Sequence, residues 1–149
     1  MVNGKFIKNW VLINELAVGS APHKIENLIE LDKLGIKNIL SLCDSNEFKL
    51  PIEWETKFNW DRYVLPDHKS NEQLSGKTII HALDIVKNLI NNGPVYVYCF
   101  AGVERSPIIC MGWMIKYKNL SQRQALDYLL NVHSITNPLP SQYKALKEI

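Results

Sequence analysis

The fold is decided by one stretch of sequence, VYVYCFAGVERSPIICMGWMIKY at residues 95–117. Its first four residues are β-branched or aromatic, a pattern that predicts a short buried strand. From Ser106 onward the pattern predicts a helix with Pro107 at its first position, where a missing N–H costs nothing. Between them lies a tight loop that runs from Cys99 to Arg105. We expect the backbone N–H groups of this loop, at a helix N-terminus, to form an anion-binding nest.

A thiol at the rim of such a nest predicts nucleophilic chemistry on a phosphoryl group. Only the thiolate attacks phosphorus well, and both the helix dipole and the cation of Arg105 favour the thiolate form of Cys99. Gly102 permits the torsions that turn successive N–H groups inward. The planar fork of Arg105 suits two phosphate oxygens, and the Ser106 hydroxyl is placed to stabilise the thiolate when it leaves.

The composition excludes several other classes of function. The chain has 149 residues, enough for one domain with a sizeable core, and its 46% apolar content is ordinary for a globular protein. A net charge of +2 argues against nucleic acid or an acidic membrane as a partner. The sequence has no apolar run of transmembrane length and no secretory signal pattern. Three cysteines without metal-ligand spacing predict neither disulfides nor a zinc site, so we expect a cytoplasmic protein without metal or cofactor.

Strand and helix patterns alternate along the chain, which predicts an α/β fold with the central strand covered on both faces. A helix is expected after Gly19, with its cap near Ser20 or Ala21 and its end at Gly35. Residues 45–58 give no clear pattern. The other predicted strands are Phe6–Ile13, Leu16–Val18, Ile36–Leu42 and Trp60–Leu65, and the other predicted helices contain Ile79–Ile90, follow a capping box at Ser121 and Gln124, and span Ser141–Ile149.

The segment CFAGVERS resembles the C-x5-R-[ST] signature of cysteine-dependent protein tyrosine phosphatases, particularly the compact dual-specificity type. The similarity spans nearly the whole chain, since NELAVGSAP at residues 14–22 and LGIKNILSLCD at residues 34–44 resemble early segments of that family. It implies a single catalytic domain over residues 1–149, with a mostly parallel central sheet flanked by helices. Low-molecular-weight tyrosine phosphatases fit poorly, because their loop lies near the N-terminus, and rhodanese-like domains lack a general acid from an earlier loop.

The resemblance also implies a general acid, an aspartate on a loop about thirty residues before the cysteine. Asp67 lies 32 residues before Cys99, follows Pro66 and sits in a polar segment. Such a carboxylic acid protonates the leaving oxygen. Asp61 is the rival, but it falls within a predicted strand. The alternative interpretation of Asp67 is a solvated loop carboxylate or a helix cap.

Two residues of the loop differ from the family pattern. Tyr98 stands where the family usually has His, and a tyrosine donates one hydrogen bond but carries no positive charge. Glu104 precedes Arg105, where relatives often have a small, polar or basic residue. With its side chain outward, Glu104 is expected to place negative charge at the rim and to disfavour highly anionic substrates such as polyphosphoinositides.

The predicted activity is hydrolysis of phosphotyrosine in phosphoproteins, with phosphoserine and phosphothreonine implied only by the resemblance. Cys99, Asp67, Arg105 and Ser106 are the predicted catalytic residues, and the phosphate-binding residues are Phe100, Ala101, Gly102, Val103, Glu104 and Arg105. Two alternatives remain open: a phosphate-binding regulatory module with weak turnover, and a phosphatase for RNA 5′ ends, phosphoinositides or small phosphoesters. Cys43 is either a buried packing residue or a partner for Cys99 in a reversible disulfide.

Overall fold

A central five-stranded sheet organises the structure, a computed structural model that describes residues 5–149. The strands are β1 Lys8–Leu12, β2 Leu16–Gly19, β3 Asn38–Ser41, β4 Asn59–Arg62 and β5 Val95–Tyr98. Their spatial order is β1-β2-β5-β3-β4, with β1 antiparallel to β2 and all other neighbours parallel. The predicted mostly parallel α/β sheet is therefore confirmed. Residues 1–4, part of the segment in which no secretory signal was found, lie outside the described residues.

Five α-helices accompany the sheet within residues 5–149: α1 Ile25–Lys33, α2 Gly76–Leu89, α3 Arg105–Lys118, α4 Gln122–Val132 and α5 Pro140–Ala145. Short 3-10 turns occur at Ile52–Trp54, Ile90–Asn92 and Leu146–Glu148. The predicted capping box is present, because the Ser121 side chain accepts from the N–H of Gln124 and the Gln124 side chain accepts from the N–H of Ser121. Gly35 follows α1 with φ +88°, the left-handed conformation that glycine adopts readily. No helix among the described residues has the length and apolar character needed to cross a bilayer.

Strand β5 occupies the middle of the core, and all four of its residues are buried. Helix α3, which follows it, is buried over its first ten residues. Gly112 of α3 lets α2 approach closely, because a Cβ there would lie 3.2 Å from Ile79 and 3.3 Å from Leu83. The strand, loop and helix predicted to decide the fold thus lie at its centre, and they place Cys99 at the carboxyl end of the middle strand.

Two helix starts differ from the predictions. Helix α1 begins at Ile25 rather than near Ser20 or Ala21, because these residues have other partners: the Ser20 hydroxyl accepts from the Ile7 N–H, and the Ala21 N–H donates to the Phe100 carbonyl. Helix α3 begins at Arg105, so Pro107 is its third residue. That position still lies in the first turn, where a backbone N–H has no intrahelical partner.

Candidate active site

The phosphate loop, residues 99–105, connects β5 to α3 and leaves Cys99 only 2% exposed. Gly102 has φ +75°, as expected for a residue that turns N–H groups inward. Tertiary packing adds a second requirement. A Cβ on Gly102 would lie 2.7 Å from the carbonyl carbon of Gly19 and 2.9 Å from the backbone nitrogen of Ser20. The loop is therefore packed directly against the end of β2.

His133 supports this loop from the end of α4, a role that the sequence did not indicate. Its Nε2 lies 2.7 Å from the Gly102 carbonyl oxygen, and its Nδ1 lies 2.8 Å from Nδ2 of Asn9. With the Asn9 amide in this orientation Nδ1 must accept, so the Nε2–H donates to Gly102. Burial lowers the pKa of His133, which favours this neutral form, although the Gly102 bond opposes the shift. A lone histidine without ligand spacing carries no signal for such a contact.

Ser106 lies directly beside the sulfur of Cys99. Its Oγ is 3.3 Å from Sγ, and its backbone N–H donates to Sγ at 3.4 Å. The hydroxyl also donates to the Gly19 carbonyl at 3.2 Å. A thiol proton is thus able to point at Ser106 Oγ, whereas a thiolate would receive the hydroxyl proton after a rotation away from Gly19. This geometry suits stabilisation of a thiolate leaving group.

Glu47 holds the guanidinium of Arg105 in a bidentate ion pair, with contacts of 2.8 Å from Nη2 and 3.1 Å from Nη1. Nη1 also donates to the carbonyls of Leu42 and Leu65 at 3.3 Å. Within residues 5–149 the Nε–H and the second Nη2–H have no partner, so one edge of the fork remains for two phosphate oxygens. Burial opposes the charge most strongly, but the Glu47 hydrogen bond together with the charge of Glu47 and of the neighbouring Cys99 and Cys43 thiol groups outweighs it, so the pKa of Arg105 lies further above its ordinary value.

The segment around Glu47 is itself fixed by other contacts. Arg62 donates to the Cys43 carbonyl at 2.7 Å and to the Phe48 carbonyl at 3.2 Å. Glu47 Oε2 also accepts from the Asp44 N–H at 2.9 Å. Sequence reasoning missed Glu47 because it lies in the segment without a readable pattern, 58 residues before its partner Arg105.

A cavity of about 440 Å³ opens over the phosphate loop. Asp67, Cys99 and Arg105 all line it, whereas Asp61 does not: its exposed carboxylate in β4 accepts from the Arg62 N–H. Oδ1 of Asp67 accepts from the Lys69 N–H at 2.9 Å. The structure thus brings the predicted nucleophile, cation and acid candidate together. The remaining lining residues are Asn46, Glu47, His68, Lys69, Phe100, Ala101, Val103 and Glu104.

The two departures from the family pattern occupy different places. Tyr98 lies in the core, 5.8 Å from the Phe48 ring centroid and 5.9 Å from that of Tyr96. Its hydroxyl makes no hydrogen bond within residues 5–149, and burial, partly offset by the nearby Ser41 hydroxyl, raises the pKa of Tyr98. Glu104 lines the cavity but does not extend freely outward, since only 20% of its side chain is exposed.

Cys43 follows β3, beside the strand that carries Cys99. The pairing of β3 with β5 continues one residue past β3, because the Leu42 N–H donates to the Tyr98 carbonyl at 2.9 Å. Cys43 is fully buried, and burial raises the pKa of its thiol to about 12 although Arg105 opposes the shift. Both cysteines are reduced, so the disulfide stays a prediction.

Comparison with known proteins finds one matching family model and several relatives. The family model described as "Dual specificity phosphatase, catalytic domain" matches residues 16–149. Phosphatidylglycerophosphate phosphatase PTPMT2 of Arabidopsis thaliana is 25% identical over 141 residues, which are 93% of this chain and 61% of that protein. Dual specificity protein phosphatase 1 of Homo sapiens is 27% identical over 124 residues, 83% of this chain and 32% of that protein.

A solved structure of PTPMT1 in complex with PI(5)P superimposes with a TM-score of 0.80 at 19% identity. The match covers 95% of this chain and 92% of that one, which shows a shared fold. The chain spans less than two thirds of the length of the two curated relatives described above.

Proposed function

The chain belongs to the dual-specificity phosphatase catalytic domain family, and we propose that it hydrolyses phosphotyrosine in proteins through a phosphocysteine intermediate. The observation that carries this proposal is the single cavity lined by Cys99, Arg105 and Asp67. A nucleophile, an oxyanion-binding cation and a proton donor in one cavity are what metal-independent phosphoryl transfer requires. Phosphoserine and phosphothreonine are further proposed substrates. The catalytic unit is proposed to be one domain in the cytoplasm.

The proposed first step transfers the phosphoryl group to sulfur. The thiolate of Cys99 attacks phosphorus, the bond to the ester oxygen breaks, and Asp67 gives its proton to that oxygen. The open edge of Arg105 and the N–H groups of residues 100–105 hold the three equatorial oxygens.

In the proposed second step, water attacks the phosphocysteine while the Asp67 carboxylate takes its proton. The P–S bond breaks and Cys99 leaves as a thiolate, which receives hydrogen bonds from the N–H and hydroxyl of Ser106. Inorganic phosphate is the second product. Because Asp67 has taken the proton of the water, it is protonated again and the enzyme is back in its starting state.

An aromatic cluster beside the loop supports the preference for phosphotyrosine. Phe100 lines the cavity, and its ring centroid lies 5.3 Å from that of His23, which in turn lies 5.1 Å from Phe48. These edge-on contacts support the Phe100 ring at the cavity, where a phenyl ring of the substrate is able to pack against it.

Phospholipid monoesters are the second candidate, because one relative is named a phosphatidylglycerophosphate phosphatase and a protein of the same fold was solved with PI(5)P. Charge argues against phosphoinositides that carry several phosphates. Glu104 is an anionic lining residue, and within residues 5–149 Lys69 is the one lysine or arginine that lines the cavity apart from Arg105, which is paired with Glu47. We therefore expect Glu104→Lys to raise turnover of a polyphosphoinositide relative to a phosphotyrosine peptide.

The decisive experiment measures phosphate release from an aryl phosphate, phosphopeptides and phospholipids. Activity that survives a metal chelator, is inhibited by vanadate, is lost in Cys99→Ser and falls in Asp67→Ala would support the proposed reaction. Retained phosphopeptide binding without turnover would instead support a binding module. The exposed control Glu53→Lys should leave the ratio of lipid to peptide turnover unchanged. Equal turnover of lipid and peptide that is also unchanged in Glu104→Lys would remove the charge argument.

A further inference from the structure

The loop that carries Asp67, residues 66–73, is anchored at its two ends. Leu65 on one side is 1% exposed and Leu74 on the other is 9% exposed, so both belong to the core. Between these anchors, and as far as residues 5–149 are concerned, the backbone hydrogen bonds of the loop stay inside it. They run from the Lys69 N–H to Asp67 Oδ1, from the Ser70 N–H to the Asp67 carbonyl and from the Glu72 N–H to Ser70 Oγ. The loop therefore has internal structure but few ties to the rest of the protein.

Packing does not fix the loop either. Two further cavities lie against it, one of about 320 Å³ and one of about 160 Å³, and Asp67 lines both of them as well as the cavity over Cys99. A segment bordered by space on several sides has few dispersion contacts to hold one conformation. The position of the Asp67 carboxylate must then depend on specific contacts.

One such contact is present. Nδ1 of His68 lies 3.3 Å from Oε2 of Glu104, the residue before Arg105 in the phosphate loop. Within residues 5–149 it is the only recorded hydrogen bond or ion pair that joins residues 66–73 to another part of the chain. It connects the neighbour of the proposed acid directly to the loop that binds the phosphate.

The Glu104 end of this contact is firmly held. Its other oxygen, Oε1, accepts from Nε2 of Gln142 at 3.2 Å, and Gln142 is itself only 3% exposed. His68 is the more exposed end, with 53% of its side chain exposed against 20% for Glu104. A fixed carboxylate therefore holds an exposed imidazole, and through it the adjacent Asp67.

We propose that Glu104 and His68 are positioning residues that hold Asp67 over the phosphate loop in the arrangement needed for proton donation. The inference rests on the proposed function, because it concerns the general acid of that reaction. It also gives Glu104, which differs from the family pattern, a second role besides disfavouring highly anionic substrates. A half-exposed pair of this kind contributes modestly, so its loss is expected to lower the rate about three- to fivefold.

The leaving group separates positioning of the acid from other effects. Tyrosine is a poor leaving group, with a pKa of about 10, and its departure needs a proton. The nitrophenolate of p-nitrophenyl phosphate leaves readily without one. We expect His68→Ala and Glu104→Ala to lower kcat/KM for a phosphotyrosine peptide about three- to fivefold and kcat/KM for p-nitrophenyl phosphate less than about twofold. The comparison uses kcat/KM because hydrolysis of the phosphocysteine, which also involves Asp67, is common to both substrates and affects kcat alone.

Conservative variants and a double-mutant cycle sharpen this test. His68→Asn keeps a side-chain N–H donor and should recover part of the peptide rate, whereas Asn71→Ala, an exposed change in the same loop, should have no effect. In an Asp67→Asn background, His68→Ala should cost nothing further if it acts through Asp67. An equal loss of kcat/KM on both substrates, or a loss that persists without the Asp67 carboxyl, would overturn the proposal.

Amide hydrogen exchange tests the contact independently of turnover. Exchange of residues 66–73 should be faster in His68→Ala and in Glu104→Ala than in the wild type and Asn71→Ala. Unchanged exchange in both variants would refute the positioning role even in an active enzyme. Faster exchange in a protein that releases no phosphate from any ester would instead refute the proposed function and, with it, the catalytic role of the contact.

Discussion

Replacing Glu47 with Gln would remove the charge that faces Arg105 while leaving the side chain nearly the same size. The guanidinium side chain is 5% exposed and Glu47 is 26% exposed, so the remaining cation would be mostly buried without a counterion. Breaking a fully buried ion pair costs about 3–5 kcal/mol. Because Glu47 is partly solvated, we expect the free energy of unfolding to fall by about 2 kcal/mol, which lowers the Tm by about 4–8 °C.

Activity should fall by more than this loss of stability accounts for. Without the bidentate contact, the guanidinium is free to turn, and the edge that faces the phosphate is no longer fixed. Misplacement of a reacting or binding group by about 1 Å costs on the order of a hundredfold, so we expect kcat/KM for an aryl phosphate to fall about 10- to 100-fold. The inhibition constant for vanadate should rise with it.

The assay pairs steady-state kinetics with thermal unfolding, both at a temperature where the variant is folded. Glu53→Gln is the matched control, because it makes the same change at an exposed position in the same segment and should leave both quantities unaltered. A Glu47→Gln variant with wild-type kcat/KM would show that Arg105 is held in place without Glu47. A large loss of activity in the control would show that the segment, rather than the ion pair, is responsible.

Three further predictions concern residues around the loop. Gly102→Ala should abolish most activity and lower the Tm. Gly35→Ala, also at positive φ but with no atom within 4 Å of the added Cβ, should lower the free energy of unfolding by only about 1–2 kcal/mol, and equal effects of the two changes would contradict the packing argument. Burial lowers the pKa of His133 from 6.5, so the unfolded chain takes up its proton first as the pH falls, and the free energy of unfolding should decrease below about pH 6.5. Urea titrations in which the free energy of unfolding of His133→Gln falls equally steeply with pH would exclude this cause. Since the pKa of Cys43 is raised to about 12, its thiolate fraction grows about tenfold per pH unit, and any crosslink to peroxide-treated Cys99 should form faster as the pH rises from 7 to 9. Mass spectrometry measures the crosslink, and a rate that does not change with pH would refute that route.

Much of the fold was predictable because its signals are local. The β-branched and aromatic run of β5 is readable within four residues, and the capping box at Ser121 within another four. The start of α1 was predicted wrongly, since Ser20 suits a cap by its type but its hydroxyl accepts from the N–H of Ile7, the residue before β1. The helix therefore begins where Asn27 is able to accept from the Lys24 N–H.

The candidate site divides in the same way. Cys99 and Arg105 are recognisable because a single loop fixes both, and Asp67 because a polar loop after a strand is a short-range pattern. Glu47 and His133 were not found, since their contacts join residues 58 and 31 positions apart and depend on where unrelated segments meet. Nothing in residues near Glu47 indicates that it faces an arginine.

Neighbouring residues and their periodicity were enough to predict a phosphate loop with a thiol and an arginine, the order of strands and helices along the chain, and the family resemblance. The folded structure was needed to show which edge of Arg105 has no partner within residues 5–149, why Gly102 has no room for a side chain, and that Glu104 turns toward His68. These features arise from long-range contacts between buried or partly buried groups. Which groups meet depends on how distant segments of the chain pack against one another, and a local sequence pattern does not show that.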